Sequence, residues 1–101
     1  MSIGVTDPYS VFVSDFAKAF GRAVRFARMR KDCEQRDLAE KAGLNRSYLG
    51  AVERGVNSPT LDVVARIAKA LDMTPSVLVQ AAEREMAQAD ADGSEGAEVN
   101  H

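Results

Sequence analysis

The sequence predicts an all-α fold, a compact bundle of five short helices. Apolar residues recur at three- and four-residue steps along most of the chain, and helix-start and helix-stop residues punctuate that pattern. No stretch alternates apolar and polar residues as a half-buried strand would.

The Asp7-Pro8 pair reads as a helix cap followed by proline at the first helical position. From there Tyr9, Phe12, Val13, Phe16, Phe20, Val24 and Ala27 define one face of a helix that runs to about Arg30, with a break near Ser14. Gly21 lies inside it at a cost of about 1 kcal/mol relative to alanine, which marks a close helix contact. A second helix runs from about Gln35 to Lys41 and stops at Gly43. A third begins after the cap Asn45 and ends at Gly55. Residues 56–59 form a loop. Thr60 caps a fourth helix with Leu61, Val64, Ile67, Ala68 and Leu71 on one face. Thr74-Pro75 opens a fifth, with Val77, Leu78, Ala81 and Ala82 apolar. From about Gln88 the residues turn to Ala, Asp, Gly, Ser and Glu, the composition of a disordered acidic tail. The chain divides into an extension over residues 1–13, a core domain over 14–82, and the end of the last helix with its tail over 83–101.

At 101 residues, 46% hydrophobic and 28% charged, the chain has room for one domain with its own core. The lone Cys33 can form no internal disulfide, and the lone histidine is His101, so neither a disulfide framework nor a His/Cys metal site is expected. No apolar run approaches the roughly 20 residues that cross a membrane, and no signal peptide is evident. A cytoplasmic location follows as the expectation. There is no nucleophile–base pair and no Gly-rich phosphate loop, so an enzyme is not expected, nor is a cofactor or a small-molecule ligand. The net charge of −2 conceals an uneven distribution. Residues 16–54 carry ten basic and five acidic side chains, whereas residues 83–101 carry one and six. A basic region of that kind is compatible with nucleic acid.

Residues 35–55 meet the demands of two helices crossing steeply over a tight turn. Ala39 is small where the second helix crosses the first, and Gly43 accepts positive φ at the turn. Leu38, Ala42, Leu44, Leu49 and Val52 form the inner face. Arg46, Ser47, Gly50 and Ala51 then point away from the core, one cationic and three small, which suits close approach to a groove floor.

With these features the chain resembles the lambda-repressor-like helix-turn-helix family, also called the XRE family, over about residues 20–80. The marks are Phe20-Gly21, Val24-Arg25, Arg28, Gln35, Leu38-Ala39, Ala42-Gly43-Leu44, Tyr48-Leu49, Val52-Glu53-Arg54-Gly55, Pro59, Leu61, Ile67-Ala68 and Ala70-Leu71. Glu34 departs from the usual Ser or Thr cap, and Cys33 from the usual Leu. The resemblance implies that residues 14–82 are a DNA-binding domain, a transcriptional regulator that acts as a homodimer on double-stranded DNA at a partly palindromic operator. It makes Gln35, Arg46, Ser47, Gly50 and Ala51 groove-facing, and puts Asn45, Tyr48, Arg54 and Asn57 where the family contacts phosphates. It also makes Arg28 and Glu53 a structural ion pair. A guanidinium at Arg46 can bond guanine O6 and N7 together, although a phosphate contact there is the alternative. Gly50 and Ala51 cannot hydrogen-bond bases through side chains, so DNA shape gains weight. Tyr48 either meets a phosphate through its hydroxyl or packs at the helix start. The Arg46-Ser47-Tyr48 start and the one-domain size are similar to the restriction–modification controller group.

The apolar stripe of Phe12, Val13 and Phe16 precedes the family core, and an exposed stripe of that kind needs a cover. Either the extra turns of the first helix pack it on the same domain, or, the reading favoured here, it forms the dimer contact together with Val77 and Leu78. The rival expectation is an antitoxin or protein-interaction module, whose stripe would hold a partner protein while the helix-turn-helix regulates its own promoter.

Overall fold

The structure, a computed structural model, describes the backbone of residues 8–99 and the side chains of residues 15–91. Five helices follow one another: α1 Pro8–Arg30, α2 Gln35–Ala42, α3 Arg46–Glu53, α4 Leu61–Ala70 and α5 Pro75–Val99. No strand occurs among the described residues. The three middle helices are short, as their spacing predicts, but α1 and α5 are long, at 23 and 25 residues. The helix α1 is continuous through Ser14, where a break is expected from sequence. The backbone of α5 stays helical to Val99, past the Gln88 limit expected from composition. Alanine at positions 87, 89 and 91 has the highest helix propensity, and Gln88 lies between two of them.

Local chemistry sets the boundaries. The Asn45 side chain accepts hydrogen bonds from the Ser47 and Tyr48 N–H groups at 2.8 and 3.3 Å, and Thr60 Oγ1 accepts from Val63 N–H at 3.2 Å. Thr74 Oγ1 does the same for Val77 N–H at 3.3 Å. At the α2 start the Glu34 side chain makes no capping hydrogen bond, as its departure from Ser or Thr predicts.

The core is built from the inner faces. Val24, Leu38, Leu49, Val52, Ile67 and Leu78 are its largest fully buried side chains. The helix α1 packs along α5 and crosses α3, while α2 packs on α4. At the α1–α3 crossing, a Cβ on Gly21 would come within 2.5 Å of the Glu53 carbonyl oxygen and collide with that of Val52. Only glycine permits that approach, which is the close contact its position in the sequence predicts. Cys33 is half-buried against the core.

Two positions differ from expectation. Leu78 is fully buried, so it belongs to the monomer core and cannot form part of a dimer surface. The register of α5 turns Leu78 and Ala82 inward and leaves Val77 43% exposed. Leu61, expected on the inner face of α4, is 87% exposed at the first turn of that helix. The side chains of Phe12 and Val13 lie outside the described residues. Phe16 is half-buried against the core.

Candidate nucleic-acid interface

The α2–α3 corner is made by Gly43, Leu44 and Asn45. Gly43 has φ +69°, and its N–H bonds back to the Ala39 and Glu40 carbonyls, closing α2 with a left-handed residue. Leu44 N–H reaches Ala39 O at 2.8 Å, and Asn45 at once caps α3. With Leu49 and Val52 anchored in the core, the opposite side of α3 is turned outward.

On that side Gln35, Arg46, Ser47, Gly50 and Arg54 line one depression of about 260 Å³. Four of these five are residues expected to face a groove. The fifth, Arg54, is expected at a phosphate yet lines the same depression. Arg46, Ser47 and Arg54 are exposed. Gly50 corrects the expectation of an open position. It is buried, with the Arg54 guanidinium and the Gln35 amide against it. Ala51 is half-buried and outside the lining. Asn45 and Asn57 are exposed, and Asn45 spends its side-chain oxygen on the helix cap. Tyr48 is half-buried and packs against the core.

Gln35 links the depression to a polar network around Glu53, in which no buried side-chain N or O atom lacks a partner among the described residues. Arg28 donates from Nε to Glu53 Oε2 at 2.7 Å and from Nη2 to Oε1 at 3.0 Å, a bidentate pair, and from Nη1 to the Cys33 carbonyl at 3.0 Å. Gln35 Nε2 donates to Glu53 Oε1 at 3.0 Å. The Glu53 side chain is only 4% exposed and that of Arg28 15%. The hydrogen bond to Glu53 raises the Arg28 pKa above its ordinary value, against a smaller opposing effect of burial. This is the ion pair expected between Arg28 and Glu53. The Gln35–Glu53 bond is not among the contacts expected from the sequence.

Charge divides the cations into two sets. Arg22, Arg28, Lys31 and Arg66 each have a carboxylate partner. Lys18, Arg25, Arg30, Arg36, Lys41, Arg46, Arg54, Lys69 and Arg84 have none among the described residues, and of these only Arg46 and Arg54 line the depression. Two unpaired guanidiniums at one depression, beside an amide and a hydroxyl, suit a ligand rich in acceptor oxygens and nitrogens. The described residues hold no group of three or more His, Cys, Asp or Glu placed to bind a metal. No described helix is long and apolar enough to cross a membrane.

Comparison with known proteins places this geometry. A helix-turn-helix family model matches residues 24–78. An uncharacterized helix-turn-helix-type transcriptional regulator of Mycobacterium tuberculosis is 41% identical over 58 residues, which cover 57% of this chain. The matched segment spans 41% of that relative's length. The crystal structure of the restriction–modification controller protein C.AhdI from Aeromonas hydrophila is 40% identical, with a TM-score of 0.60, over 61% of this chain and 94% of that one. The clp gene regulator ClgR from Corynebacterium glutamicum is 28% identical, with a TM-score of 0.74, over 85% and 94%.

Proposed function

Because the chain belongs to the helix-turn-helix family, we propose that it is a transcriptional regulator that binds a partly palindromic DNA site as a homodimer. The observation that carries this reading is the exposed side of α3, where Arg46 and Arg54 stand unpaired over one depression with Gln35 and Ser47. A major groove admits an α-helix, and Arg46 at its N-terminal end bonds guanine O6 and N7. Asn45 and Asn57, exposed at either end of α3, serve the flanking phosphates. The controller proteins among the relatives support a role in gene control.

One recognition helix spans only a few base pairs, so two copies are needed, with their α3 helices about 34 Å apart. The surface for the second copy is an apolar depression of about 320 Å³ between α1, the loop after α3, α4 and α5. Phe16, Pro59, Leu61 and Val79 line it, and a cover there would bury the exposed Leu61. Val77 is exposed on α5 but lies outside that lining, on the other flank of Leu78 from Val79.

Selection of bound DNA from a random pool, joined to sedimentation of the free protein, tests both parts. The expected result is a dimer and an enriched two-fold site whose halves lie one duplex turn apart. Affinity that stays at roughly micromolar or weaker for every sequence sinks the regulator. A monomer that leaves the apolar depression uncovered sinks the homodimer and favours a module that holds another protein.

A further inference from the structure

Gly50 stands in the middle of α3, where glycine disfavours a helix relative to alanine. Unlike Gly21, it meets no neighbouring backbone. A Cβ at Gly50 would lie 3.3 Å from Arg54 Nη1 and 3.6 Å from Gln35 Oε1, the far ends of two flexible side chains. Alanine there would leave the fold intact and oblige the Arg54 guanidinium to give by a few tenths of an ångström, with Gln35 already at ordinary contact distance. Residues 46, 50 and 54 recur every four positions, so they share one stripe of the helix. Arg54 therefore folds back across the gap left by Gly50, toward Arg46, and both line the same depression. Glu53, next to Arg54 in the chain, is bonded to Arg28 and Gln35, and among the described residues no carboxylate pairs with Arg46 or Arg54.

We propose that Gly50 is a positioning residue whose missing side chain lets Arg54 lie along α3, so that the helix presents two base-reading guanidiniums, Arg46 and Arg54, rather than one. This rests on the regulator reading and names what its site recognises. Arg46 and Arg54 are about 12 Å apart along the helix axis, but the Arg54 guanidinium lies beside position 50, about 6 Å from the level of residue 46, or about two base-pair steps of about 3.4 Å. Arg54 is then a specificity residue, not a phosphate contact.

Gly50→Ala, Arg54→Ala, Arg54→Lys and the Gly50→Ala/Arg54→Ala double variant are compared on the selected operator and on single-base variants of it. Melting is measured alongside. Gly50→Ala is expected to melt at or above the parent temperature while losing roughly tenfold in operator affinity. That loss should fall on the base pair that Arg54→Ala also relaxes, and the double variant should bind no more weakly than Arg54→Ala alone. Arg54→Lys should keep binding to random DNA without restoring the base preference, since an ammonium cannot make the bidentate bond. The proposal is overturned if Gly50→Ala binds like the parent, or if its loss persists undiminished in the Arg54→Ala background, which would mean that glycine clears space for DNA directly. Equal weakening by Arg54→Ala at every sequence also overturns it. A parent that selects no operator overturns the regulator reading itself, whereas a selective parent with any of those three variant results overturns only this proposal.

Discussion

Arg28, paired with Glu53, and Arg54, which follows Glu53 in the chain, have opposite fates. Arg28 is half-buried, and three of its guanidinium N–H groups are taken by the Glu53 carboxylate and the Cys33 carbonyl. Arg54, next to Glu53 in the chain, is exposed and has no carboxylate partner among the described residues. The same side-chain chemistry therefore serves fold in one place and is left available in the other. A buried charge requires full pairing, because an uncompensated one is very costly. A surface charge can remain open, because water solvates it until an anion displaces that water. The border between the two regions runs through α3: Leu49, Val52 and Glu53 look inward, and Arg46, Ser47 and Arg54 look outward.

The strongest test of this division acts on the buried side. Glu53→Ala leaves Arg28 with only the Cys33 carbonyl and releases Gln35, so a loss of about 3–5 kcal/mol is expected in denaturant melts. Replacing Arg28 and Glu53 together by apolar residues of similar volume should recover much of that loss. An unchanged melting point in the single variant would contradict the burial of the pair. On the outward side, Arg46→Ala should leave melting unchanged and weaken operator binding by about 1–3 kcal/mol, concentrated at one base pair per half-site. Uniform weakening across sequences would make Arg46 a phosphate contact instead. Between the two regions lies the cap. Asn45→Ala removes the acceptor of the Ser47 and Tyr48 N–H groups, for about 1 kcal/mol of stability.

The smallest effect is expected at the exposed Lys31–Asp72 pair, 2.8 Å long. The hydrogen bond from Lys31, and then its charge, lowers the Asp72 pKa below its ordinary value. The pair's contribution is therefore present above the unfolded carboxylate range and is lost as pH falls through the lowered pKa. Asp72→Asn should flatten that acid limb slightly and leave DNA binding alone, as a pH series of melts would show. An acid limb identical to the parent's would mean that solvent already cancels the pair.

The same border governs what the sequence discloses. The turns that bound α2, α3 and α4 are legible because each depends on a local device: Gly43 at positive φ, or Asn45 and Thr60 as caps. The inner faces of α2 and α3 are legible because both are short and amphipathic. Leu78 is not, because Val77, Leu78, Ala81 and Ala82 form a band broad enough that only packing on the rest of the bundle decides which edge turns inward. Leu61 fails for a related reason: periodicity assigns it to the face of Val64 and Ile67, but it sits at the helix start, beyond the reach of the core. At the candidate site, four of the five lining residues are expected at a groove from the sequence. The contacts of Gly50 with Arg54 and Gln35, and of Gln35 with Glu53, depend on where side chains settle after folding. No spacing rule announces them.

The claim that the outward side of α3 reads bases is tested most directly by methylation protection of guanine N7 on the selected site. Arg46 in the major groove should shield one guanine N7 in each half-site, and Arg46→Ala should abolish that protection while leaving the rest of the footprint in place. Full reactivity of every guanine N7 under bound parent protein, or protection of that same guanine that survives Arg46→Ala, would contradict the account.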